Sequence, residues 1–218
     1  YAQAALQERM PNVQAMYMLG CAGDDNPYPR GTMELARKHG QSLAEEVARV
    51  LETKLRPIHG PLTIAFDYAE LPLQTGFARS DLEKLAGNRR DAKNFAANQM
   101  LAMLDRGEKL PTTYRCPFTV WQFGPDLTLV GLPGEVVVDY ISMLEKALGP
   151  NQLWISAYCN DVFGYLPSAR VLTEGGYETR GLYSGSAGIF DPKAEEVVVK
   201  TVRELAKKAG RALGEPRP

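Results

Sequence analysis

Strand and helix signals alternate along this chain, and they predict an α/β fold in which helices flank a central mixed sheet. Short runs rich in β-branched and aromatic residues, led by Val13 to Leu19, Pro61 to Phe66, Leu127 to Leu132 and Gln152 to Ala157, read as buried strands. Segments with apolar residues at helical spacing lie between them. Polar loops follow three of these strands, the position at which open α/β sheets carry their sites. With 218 residues the chain is long enough to bury a sizeable core without a staple. One α/β domain is expected over residues 1–213, with a disordered tail at 214–218.

Composition excludes several classes of partner. The 25 basic and 26 acidic residues nearly cancel, so no field points to nucleic acid or to an anionic membrane surface. No run of about 18 apolar residues is present to cross a bilayer, and no signal-peptide pattern is seen. The chain starts at Tyr1, so any targeting segment is expected upstream of it. Cys21, Cys116 and Cys159 are odd in number and lack CxxC spacing, which argues against a zinc ribbon or a disulfide framework. They read as buried thiols; whether Cys21 and Cys159 bridge is left to geometry.

Taken in order, Val13 to Leu19 ends in Gly20 and opens into the loop CAGDDNPYPRG, and Thr32 then caps a helix. Leu35, His39, Leu43, Val47, Val50 and Leu51 form its apolar stripe, so His39 reads as a core or rim histidine. His59, before the strand that starts at Pro61, reads as an exposed loop residue. Ser80 with Glu83 suggests a capping box opening a helix to about Leu104, bent near Gly87. Thr119 to Phe123 and Leu127 to Leu132 flank Gly124, Pro125 and Asp126 as a hairpin. Glu135 is expected to open the next helix, where its charge suits the dipole. Asp191 should cap a last helix running to about Leu213.

The chemistry concentrates in three loops: Gly20 to Gly31, Leu132 to Glu135, and Cys159 to Glu178. They supply the carboxylate of Glu135, the phenols of Tyr165 and Tyr177, and the side chains of Asp24, Asp25 and Asn26. GCAGDDNPYPRG, LTLVGLPGE and ISAYCNDVFGYLPS with the downstream Tyr177 and Glu178 together resemble three ordered segments of the neutral, non-lysosomal ceramidases, here as a short bacterial-type homologue.

That resemblance implies a zinc-dependent amidohydrolase acting on an N-acyl bond of a small-molecule or lipid amide, in sphingolipid metabolism in the family, and an extracytoplasmic or secreted setting. It makes Glu135 and Tyr165 zinc ligands, places Tyr177 by the scissile amide, and puts Asp24 and Asp25 near substrate. Two further histidine ligands are expected upstream, since neither His39 nor His59 has a matching context; the chain then corresponds to the C-terminal half of the catalytic domain. Asn26 stands where the family has its serine, and a carboxamide is no nucleophile. Zinc-activated hydroxide would then attack directly; the alternative is an inactive relative that keeps the cleft to bind a lipid or polar ligand. Ser168, Ser184 and Ser186 are the other hydroxyls within reach of such a role.

Overall fold

The computed structural model describes residues 1–87, 94–183 and 187–213. Seven α-helices, one 3-10 turn (Tyr177–Thr179) and six strands are assigned among them: α1 (Ala2–Arg9), α2 (Met33–Leu51), β1 (Leu62–Pro72), α3 (Arg79–Ala86), α4 (Asn94–Asp105), β2 (Thr113–Phe123), β3 (Leu127–Gly131), β4 (Glu135–Val136), α5 (Asp139–Leu148), β5 (Leu153–Ser156), β6 (Tyr165–Leu166), α6 (Ala169–Glu174) and α7 (Ala194–Lys208). The chain is mixed α/β, as expected. Its main sheet has four strands in the order β1-β2-β3-β5, antiparallel except for the parallel pair β3 and β5.

One face of this sheet carries the core. Alternation sends Ala65 and Leu71 from β1, Cys116, Phe118 and Val120 from β2, and Val130 from β3 to the same side, where α7 and α5 cover them. Val198, Val202, Leu205 and Ala206 of α7 and Tyr140, Leu144 and Leu148 of α5 are the buried stripes that meet them. A smaller cluster, Leu82, Met100 and Ala187, holds α3 and α4 together.

Several expected elements change. Residues 13–20 do not form a strand: Met16 is 86% exposed, and only Leu19 is tied to β5, its carbonyl accepting from Ala157 N–H and Ser156 Oγ, each at 3.0 Å. An apolar run becomes a buried strand only where something covers it, and among the described residues Val13, Met16, Tyr17 and Met18 stay largely exposed. The helix expected from Ser80 starts at Arg79, and Asp81 rather than Glu83 reaches back to the Ala78 N–H, at 3.2 Å. It ends at Ala86; residues 88–93, beside the expected bend at Gly87, and the tail 214–218 lie outside the described residues.

Strand β2 begins six residues before the expected hairpin arm, at Thr113. Pro117 hides this extension from a sequence reading, yet it is tolerated because it pairs only with Tyr68 of β1, beyond the reach of β3. Thr32 caps α2 as expected, its Oγ1 accepting from Leu35 N–H at 3.2 Å. The last helix stops at Lys208, short of Leu213, because Gly210 turns the chain at φ 95° and Arg211 N–H closes on Ala206 O at 2.9 Å, which sends Arg211 back under α5. Its guanidinium donates to the carbonyls of Leu148 at 3.1 Å and of Gly149 and Asn151 at 3.0 Å, and also to Thr128 Oγ1.

Arg211 therefore satisfies carbonyls that the end of α5 leaves open. Replacing it by Ala should lower the unfolding free energy by about 3 kcal/mol, since charged hydrogen bonds are lost and half-buried acceptors are orphaned. Chemical denaturation of the two proteins side by side measures this.

Candidate functional site

The expected placement of Glu135 at a helix start is corrected by the backbone. Helix α5 begins only at Asp139, and Glu135 lies in β4, so the helix dipole does not act on it. Gly134, at φ 72°, turns the chain after β3, and its N–H donates to Asp161 O at 2.8 Å; Glu135 N–H donates to Gly164 O at 2.8 Å. Strand β4 then pairs in parallel with β6, Glu135 opposite Tyr165 and Val136 opposite Leu166. Val136 and Leu166 are fully buried. Alternation therefore turns Glu135 and Tyr165 to the other, partly open side, next to each other.

The first loop is pressed onto this ladder. Gly23 N–H donates to Val136 O at 2.8 Å, and a Cβ on Gly23 would stand 2.8 Å from that oxygen, so a larger residue would push the loop away. Asp24, expected to touch substrate, has its Oδ1 engaged by Val138 N–H at 2.7 Å, with Arg170 at 3.8 Å from its other oxygen. Its carboxylate thereby anchors the start of α5 to the loop. Asp25 and Asn26 are exposed.

Around Glu135 and Tyr165 stands a group of aromatic side chains. The Tyr177 ring meets that of Tyr165 edge-on at 5.5 Å between centroids, and the Tyr183 ring does so at 6.2 Å. Arg180 lies over Tyr177 at 5.5 Å. Asn26 approaches Tyr177 across the loops, and the Glu178 carboxylate faces the same phenol. The structure thus brings Glu135 to Tyr165 and Asn26 to Tyr177, and joins the two pairs through the tyrosine rings.

Burial first, then the charge and hydrogen bonding of Glu135, pushes the Tyr165 phenol far above its ordinary range. Tyr158 is pushed up to about 12, again by burial and then by hydrogen bonding to Glu135. Burial and Glu178 raise Tyr177 as well. All three phenols are therefore protonated donors near neutral pH, and two of them face one carboxylate. Tyr158 was not singled out from the sequence. It sits at φ 58°, a left-handed backbone that a bulky residue adopts only under constraint, here with its N–H donating to Gly134 O at 2.9 Å. Its place at the end of β5 was the available signal.

Other candidates are engaged elsewhere. His39 Nε2 lies 2.7 Å from Pro29 O, and His59 pairs with Asp126 through Nδ1 and its backbone N–H, both at 2.9 Å. Ser168 is fully buried, capping α6 and donating to Asp139 at 2.5 Å; Ser184 and Ser186 lie outside the described residues. The three cysteines are free, and burial drives the Cys21 thiol up to about 12. Among the described residues no three His, Cys, Asp or Glu side chains gather as a metal site. Glu135 and Tyr165 offer one carboxylate and one phenol, both oxygen groups, on neighbouring strands.

A solved structure described as a ceramidase complexed with C2 matches the whole of this chain with a TM-score of 0.63 at 13% identity. The fold resembles that of a ceramidase. The chain spans 43% of that ceramidase, less than half of its length. No family model matches, and no curated protein matches in sequence. Among the described residues no helix is long and apolar enough to cross a membrane.

The Tyr158 contact has a pH signature. A phenol raised from 10.0 to about 12 in the folded protein contributes stability that is full below pH 10 and lost as pH rises through about 12. Relative to Tyr158→Phe, whose stability lacks this titration, the native protein should therefore lose stability between pH 10 and 12. Urea denaturation across that range, on both proteins, reads it directly.

Proposed function

We propose that this chain supplies one side of the active site of a hydrolase that cleaves the N-acyl bond of a small-molecule or lipid amide. The observation that carries the proposal is the register of the short parallel ladder, which sets Glu135 beside Tyr165 on an open face. The ceramidase-like fold supports the reaction class.

In this reading Glu135 and Tyr165 hold a zinc ion together with ligands from outside these residues, two histidines by the resemblance. Bound there, zinc would supply Lewis-acid activation of the amide and of water. The residues of the chain do the rest. Glu135 contributes fixed negative charge, and Tyr165 becomes a ligand only on giving up the proton that the carboxylate now helps it keep. Tyr177, beside Tyr165 and facing Glu178, would turn its phenol hydrogen from that carboxylate toward an oxygen gaining charge as the amide carbonyl is attacked. The guanidinium of Arg180 adds positive charge over the same ring. Asn26 orients and does not attack, so no covalent acyl intermediate forms on it.

The test uses the full-length gene product with zinc, short-chain N-acyl amines and ceramide analogues. Glu135→Gln and Tyr165→Phe should each lower zinc content and abolish turnover, and the native protein should show no acyl burst. Full zinc content and activity in Glu135→Gln overturns the assignment of the ligands. A native protein without turnover that gains it in Asn26→Ser is a binding relative whose nucleophile has been lost.

A further inference from the structure

The main sheet is apolar on both faces; one is covered throughout, and the other carries a broad exposed patch. On that second face a single row crosses all four strands in register: Ile64 opposite Trp121, Trp121 opposite Leu129, and Leu129 opposite Trp154. Ile64 is 55% exposed, Trp121 40% and Trp154 58%. Leu62, Phe66 and Tyr68 of β1 extend the patch, each close to half exposed. Phe66 and Tyr68 meet edge-on at 5.2 Å, and Arg115 lies 4.0 Å over the Tyr68 ring, beside Glu70, its register partner on the rim. An antiparallel sheet whose second face meets water alternates apolar with polar residues, and this one does not. Contiguous exposed apolar surface with a polar rim marks a docking face.

A second surface is uncovered in the same way. Helices α1 and α2 pack on each other and make no substantial contact with the sheet; within α2 only Ala44 is buried, while Leu43, Val50 and Leu51 of its apolar stripe are exposed. The ceramidase of like fold has more than half of its chain without a counterpart here. We propose that the face of Leu62, Ile64, Phe66, Tyr68, Trp121 and Trp154 is the seat of a second apolar layer, contributed by the remainder of the same domain outside these 218 residues. The sheet is then the middle of the domain, with α5 and α7 on one side and that layer on the other. Packing of that layer also fixes where its own side chains stand relative to Glu135 and Tyr165.

Hydroxyl-radical footprinting of the full-length gene product, read residue by residue by mass spectrometry, tests this without metal or substrate, so its outcome is separate from that of the hydrolase reading. Phe66, Tyr68, Trp121 and Trp154 should be labelled as slowly as the buried Phe118 at every protein concentration. Labelling as fast as in the urea-unfolded protein overturns the proposal. Protection that appears only as concentration rises also overturns it, in favour of a second copy of the chain. In the same protein Ile64→Lys should lower the melting temperature; an unchanged melting temperature counts against a covering layer.

Discussion

Two residues of parallel pairing, Glu135 with Tyr165 and Val136 with Leu166, are the constraint on which the site depends. So short a ladder has little stability of its own, and its neighbours hold it. Val136 and Leu166 are driven into the core, Gly134 and Gly164 supply positive-φ turns just before the two strands, and Gly23 brings the first loop onto the Val136 carbonyl. Burial on one side of the ladder is what leaves Glu135 and Tyr165 together on the other. Structure and chemistry are thus joined by alternation alone.

The cost of this arrangement is visible in the loop that feeds β6. Tyr158 and Asn160 both take left-handed backbone conformations, at φ 58° and 68°. For a bulky residue such as tyrosine that conformation costs on the order of 1 to 3 kcal/mol. It is held by the Tyr158 N–H on Gly134 O and the Cys159 N–H on Leu132 O, both at 2.9 Å. The return is electrostatic: Tyr158 and Tyr165 both face the Glu135 carboxylate, so a charge at the edge of the core has phenolic donors around it.

Much of the fold was legible because its signals are local. The strands at β1, β3 and β5 declare themselves by β-branched and aromatic runs, and α2, α5 and α7 by stripes at helical spacing. The errors have physical causes. Val13 to Leu19 reads as a strand because composition cannot say whether a partner exists to cover it. The early part of β2 is hidden by Pro117, harmless only because β3 does not extend that far. Glu135 reads as a helix start because PGE is a good turn, yet the chain spends two more residues pairing with β6 before Asp139 begins the helix.

The sequence by itself determined the class of fold, the loops that carry the chemistry, and the residue types available there: a carboxylate, several phenols and an asparagine. These follow from composition and short-range spacing. Tertiary structure alone decided which of them meet. That Glu135 faces Tyr165 across a ladder spanning thirty residues of chain, that Tyr158 joins them, that Asn26 reaches Tyr177 while Asp24 is held by Val138 and Arg170, all depend on contacts between segments far apart in sequence. Such contacts are set by what the core buries and by which backbones can approach, and neither is written in any one stretch of the chain.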